Sequence, residues 1–242
     1  MRWSTSSARP MAKAPWPSQN RPMTAHGSPC GPDVHSALKA VVAACAKCDR
    51  PRRLFCATCT SDEEEREWRR VDASAMSLEL LERLVESSCS DASTVPWALP
   101  RALEAAFLNE HWPIHLDAAR FVARGWPLPP SIELAVTDFV GALLDEALDT
   151  EPPTKRAQWT QSAPASLLCF ASDARLTLWP IVSRWLNRRS TRATTHLSQH
   201  VLWNPAPFHL SAVNEHLHAA LERAPDDVNA GLWREALLTT GG

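Results

Sequence analysis

The chain has 242 residues, 45% of them hydrophobic, and a formal net charge of −2. That is enough apolar material for one ordinary domain with a small appendage, or for two small domains. The near-neutral balance excludes a global drive toward nucleic acid, and no apolar run reaches the ~18 residues of a membrane span, so no membrane partner is expected.

Residues 1–32 carry Arg2, Arg9, Lys13 and Arg21, abundant Ser and Pro, and no acid before Asp33. Such a segment reads as an organelle transit peptide, addressed to mitochondrion or plastid, or as a disordered tail. Otherwise the expected location is cytoplasm or nucleus. The seven cysteines fit a reducing, intracellular compartment: four crowd into one motif, and Cys30, Cys89 and Cys169 are scattered without an assigned role.

Asp33 to Ala44 is predicted helical, with Asp33 as cap and Leu38, Val41 and Val42 on one face. Next come two Cys-x2-Cys turns, Cys45/Cys48 and Cys56/Cys59. A turn of this kind presents two thiolates to one side of a metal ion, and two such turns complete a zinc tetrahedron. Lys47, Arg50, Arg52 and Arg53 would ease the gathering of thiolates. The expected site is a closed, structural four-cysteine zinc knuckle over residues 33–61, with a redox pair or unliganded thiols as its rivals. Residues 62–242 would form the main domain.

The run from Asp62 to Glu67 reads as a solvated helix start. Met76 to Ser87 is a helix capped by Ser77, with Leu78, Leu81, Leu84 and Val85 at helical spacing. Pro96 and Pro100 punctuate, and Arg101 to Glu110 resumes helix. The strongest periodicity runs from Ser131 to Leu148, and Pro152-Pro153 ends it. Leu167 to Ala171 is the best strand candidate. Asp173 is placed as cap of a following helix that Pro180 must kink or shorten. Ser211 to Arg223 and Asn229 to Leu238 close the chain as helices. His196 and His200 are four apart, but Thr194, Thr195 and Ser198 make a poor helix, so they read as a surface pair. His216 and His218 read as satisfied or solvated.

Cys45-x2-Cys48-x-Arg50-Pro51 with the later Cys56-x2-Cys59 resembles the N-terminal zinc element of the DTW-domain family. Weaker echoes lie at Phe107 to His111, Ala118 to Ala123, Leu168 to Ala174 and Leu210 to Asn214. The resemblance implies a helix-rich α/β fold with a SPOUT-like core. It also implies a transferase activity: S-adenosyl-L-methionine would donate an aminocarboxypropyl group to a tRNA uridine, with zinc bracing the fold. The family's Asp-x-Thr-Trp tetrad is missing, so an inactive relative is equally covered, and no catalytic or donor-binding residue is assigned. Arg184, Arg188, Arg189 and Arg192 around Trp185 become candidate tRNA contacts; Arg66, Trp68, Arg69 and Arg70 repeat the pattern. The competing expectation is a non-catalytic zinc-knuckle scaffold that binds RNA or protein. His111-Trp112-Pro113-Ile114-His115 resembles part of a MYND finger, which lacks its other cysteines here.

Overall fold

The computed structural model describes residues 32–56, 58–87, 89–108 and 115–241. They form eleven α-helices, in order α1 (Pro32–Cys45), α2 (Asp62–Trp68), α3 (Leu78–Glu86), α4 (Thr94–Phe107), α5 (His115–Arg124), α6 (Pro130–Leu148), α7 (Ala163–Asp173), α8 (Trp179–Asn187), α9 (Thr191–Trp203), α10 (Leu210–Arg223) and α11 (Ala230–Thr240). Short 3-10 turns occupy Ala73–Ala75 and Arg156–Gln161. Among the described residues there is no strand, and the one ladder-like pairing is an isolated antiparallel bridge between Phe55 and Ser90. The helix-rich expectation therefore holds. The α/β, SPOUT-like part does not, because a SPOUT core needs a sheet.

Helix α6 is the axis of the fold. Pro130 sits at its start, where a missing N–H costs nothing. Its apolar stripe is so wide that Ile132, Val136, Phe139, Val140, Leu144 and Leu148 are all fully buried. Helices α1, α7, α8 and α9 pack around it. Phe107 and Phe139 meet edge-on at 5.9 Å, and Phe107 and Phe170 at 5.0 Å, the arrangement aromatic quadrupoles favour. Helix α1 packs on α6 and α4, burying Val34 and Val41. The segment expected as a separate knuckle is thus built into the helical body.

Three local expectations are corrected. The strand candidate Leu167 to Ala171 lies inside α7, where Leu167, Leu168, Phe170 and Ala171 are buried; a short apolar run does not distinguish strand from buried helix. Asp173 ends α7 and does not cap α8, which opens at Trp179 with Pro180 in its first turn. The break is a Schellman motif, with Arg175 left-handed at φ 60° and hydrogen bonds Leu176 N–H to Ala171 O (2.9 Å) and Arg175 N–H to Ser172 O (3.0 Å). Pro96 and Pro100 do not interrupt a helix but lie within α4, which starts at Thr94.

Helix α9 departs furthest from its sequence. Thr194, Thr195, His196, Ser198, Gln199 and His200 are all buried. The hydroxyls make this tolerable by donating back one turn: Thr194 to Ser190 O (3.0 Å), Thr195 to Thr191 O (2.9 Å) and Ser198 to Thr194 O (3.0 Å). Trp233 Nε1–H donates to Thr195 Oγ1 at 3.2 Å, and Trp185 Nε1–H to Ala193 O at 3.0 Å. His196 and His200, expected on the surface, instead donate from Nε2 to Thr150 O (3.3 Å) and Ala206 O (3.2 Å). His216 is buried and bonds Leu186 O through Nδ1 at 2.9 Å.

Burial is the first cause that lowers the pKa of each of these three histidines below 6.5. The unfolded chain therefore binds more protons as the pH falls below 6.5, so stability is complete above that value and is lost on acidification. Urea unfolding at pH 7.5 and 5.5 is expected to show a lower midpoint at pH 5.5. An unchanged midpoint would contradict the neutral, buried assignment.

Candidate metal centre

The loop that carries Cys56 is clamped from two sides. On one side stands α2, started by a capping box: Ser61 Oγ accepts Glu64 N–H at 3.2 Å, and the Glu64 carboxylate accepts Ser61 N–H at 3.0 Å. This orientation turns Glu65 inward, where it is 4% exposed. Its carboxylate accepts the N–H of Leu54 and, at 3.3 Å, that of Phe55. The charge run expected to be solvated thus hides one member that holds the cysteine loop. Arg83 on α3 lies 4.6 Å from the Trp68 ring centre and 5.3 Å from that of Phe55, and donates to Cys59 O at 3.4 Å.

On the other side is the turn after α3. The Phe55–Ser90 bridge joins the two segments, and Cys56 N–H donates to Cys89 O at 3.1 Å. That turn is fixed by Arg124 at the end of α5. Its guanidinium donates to Leu84 O (2.9 Å), Val85 O (2.6 Å), Ser90 Oγ (2.6 Å) and Ser87 O. Leu84 O and Val85 O are among the carbonyls that a helix end leaves without intrahelical partners. Next to it, Gly125 lets α5 approach α4, because a Cβ there would stand 2.8 Å from Val95 Cβ.

The result is a group of three thiols. The sulfurs of Cys56, Cys59 and Cys89 all lie within 4.8 Å of one another, and Cys56 Sγ and Cys59 Sγ are 2.9 Å apart. A tight turn, Cys59 N–H to Cys56 O at 3.0 Å, presents the first two together. The Cys56 thiol is held below its ordinary value, chiefly by its hydrogen bond with Cys59. Cys59 is in turn pushed up to about 12 by its hydrogen bonds with Cys56 and then Cys89. Three thiol sulfurs gathered this closely offer a soft cation a set of ligands that would give up their protons on binding it.

Of the four cysteines expected as ligands, the structure brings two together with Cys89. Cys56 and Cys59 belong to the group, and Cys45 and Cys48 do not. Cys45 ends α1, buried, and burial followed by the charge of Cys48 pushes its pKa up to about 12. Three thiolates also leave one coordination position open, where the expected knuckle was closed.

Three of the four arginines expected at tRNA face acids of the same chain. Arg184 bonds Asp145, Arg188 bonds Asp149 at 2.6 Å, and Arg192 pairs with Glu151 at 3.2 Å. Arg192 also donates to Asp149 O at 3.0 Å. Arg189, beside them, bonds through its carbonyl to Arg223 at 3.1 Å. The echo at Phe107 to His111 and the segment His111 to His115 lie largely outside the described residues, as do residues 1–31 with Cys30.

Three positions in this site were not legible as functional: Cys89, Glu65 and Arg124. Cys89 stands thirty residues beyond the cysteine motif without a partner cysteine beside it, and a chain closure of that length leaves no local signature. No family model, curated protein or solved structure matches this chain.

Proposed function

We propose that the protein is a non-catalytic helical scaffold whose N-terminal half is braced by one zinc ion on Cys56, Cys59 and Cys89. The observation that carries this reading is the meeting of three sulfurs within 4.8 Å from two segments thirty residues apart. Zinc takes thiolate sulfur at ~2.3 Å, and three sulfurs at this spacing surround such an ion after small side-chain rotations. Bound there, the ion would supply a cross-link between the loop before α2 and the turn after α3, whose first segment Arg83 already holds through the Cys59 carbonyl.

A transferase acting on tRNA with S-adenosyl-L-methionine has less support. It keeps the Cys45-x2-Cys48-x-Arg50-Pro51 text, but the sheet on which such a site would be built is missing among the described residues. Three of its four arginines, Arg184, Arg188 and Arg192, pair with Asp145, Asp149 and Glu151. A protein partner suits the surface better than RNA does: Trp179 and Trp203 are 53% and 44% exposed, and Leu210 is 41% exposed. They flank the loop between α9 and α10, where Trp179 meets His209 at 5.5 Å and Trp203 meets His200 at 5.8 Å. Calorimetry with millimolar S-adenosyl-L-methionine, and separately with bulk tRNA, is expected to give no saturable heat. Saturable binding of either would contradict the scaffold reading.

A further inference from the structure

With Cys45 and Cys48 outside the metal group, the chemistry of their neighbourhood is open. They line a cavity of about 660 Å³ between the last turns of α1, the middle of α4 and the turn Ala73–Ala75. That volume falls in the range of small-molecule sites, roughly 300–1,000 Å³. Its floor is apolar: Leu38, Val42, Trp97 and Pro100. Val42 is 49% exposed there, so a large aliphatic side chain faces the cleft without cover.

The rim is cationic. Arg50, Arg70 and Arg101 line it against two carboxylates, Asp72 and Glu104. Glu104 is taken by Arg101 at 2.6 Å. Arg50 donates to Val71 O and rests 5.5 Å from the Trp97 ring centre, which fixes its guanidinium at the cleft wall. The Arg70 guanidinium has no partner among the described residues. Three guanidinium groups against two carboxylates leave the rim with a net charge of +1, and an apolar floor beneath it recognises one ligand chemistry: one anionic head on an apolar body. Guanidinium suits such a head because its planar fork meets carboxylate, sulfonate or phosphate oxygens two at a time. Polyanions fit poorly, because one spare cation and a greasy floor give a long phosphate chain little to bind.

We propose that this cleft binds a small organic anion with an apolar body, its head on Arg70 and Arg50 and its body against Val42, Leu38 and Trp97. The site is independent of the metal, and the thiols of Cys45 and Cys48 form part of its wall.

The test uses the full chain and the dye 1-anilinonaphthalene-8-sulfonate, with neutral N-phenyl-1-naphthylamine as its uncharged counterpart. The sulfonate dye is expected to bind one saturable site. Arg70→Ala should weaken it about 10-fold, Arg70→Lys should restore most of the loss, and the neutral dye should not respond to either change. Laurate and adenosine monophosphate serve as competitors. Displacement by laurate assigns an alkyl carboxylate, and displacement by adenosine monophosphate a nucleotide. Equal binding of both dyes, an unaltered sulfonate affinity in Arg70→Ala, or displacement by neither competitor would overturn the proposal. Repeating the titration on Cys59→Ser separates this site from the metal: loss of zinc with retained dye binding leaves the cleft standing by itself.

Discussion

Replacing Arg124 by methionine is expected to lower the stability of the fold by about 3 kcal/mol. The methionine stem keeps most of the packing but removes the guanidinium that donates to Leu84 O, Val85 O, Ser87 O and Ser90 Oγ. Hydrogen bonds from a charged donor are each worth roughly 1.5–3 kcal/mol, but they are not additive, and water can reach part of this half-buried site. The end of α3 then loses its cap, and the turn holding Cys89 is released. Urea unfolding of the chelated protein isolates the structural cost; zinc titration of the same variant should show weaker binding as well. A loss below about 1 kcal/mol would mean that solvent serves these carbonyls as well as Arg124 does.

Replacing Cys89 by serine tests a different link. Serine keeps the shape and the backbone bond from Cys56 N–H to Cys89 O, so the metal-free protein should unfold as the native one does. Zinc affinity should fall at least ~100-fold, because one of three thiolates has gone and ligation energy is folding energy in such a site. Cys45→Ser and Cys48→Ser, by contrast, should leave zinc affinity within a few-fold of native. Competition against a chromophoric chelator reads all three variants. A fall with Cys45→Ser or Cys48→Ser and none with Cys89→Ser would restore the four-cysteine knuckle.

Much of the helical frame was written in local pattern. The stripe from Ser131 to Leu148, the Ser77 cap, and the helices over Asp33 to Ala44 and Ser211 to Arg223 match their elements to within a residue or two. At α9 and α7 the errors share one cause: tertiary burial overrode local preference. A helix over Thr191–Trp203 contradicts the propensity of its Thr and Ser residues, yet Trp185 and Trp233 supply the partners that make it stable. Leu167 to Ala171 is apolar on all sides because α7 is buried against α6 and α5, and such a run carries no period from which to tell helix from strand.

The cysteine group was half legible for the same reason. Spacing reveals which cysteines are neighbours along the chain, and it correctly paired Cys56 with Cys59. Spacing says nothing of where each turn ends up in space: Cys45 closes α1, and its sulfur is not among those that Cys56, Cys59 and Cys89 bring together. Nor does it reveal that Glu65 and Arg124 draw two distant loops together until Cys89 faces the pair. A residue contributed by chain closure becomes visible when the closure is seen.

X-ray absorption at the zinc edge of the loaded, full-length chain tests the central claim most directly. The account expects three sulfur neighbours at ~2.3 Å and one lighter oxygen or nitrogen neighbour, with the spectrum unchanged in the Cys45→Ser/Cys48→Ser double variant. Four sulfurs in the native protein, falling to two in that variant, would contradict it.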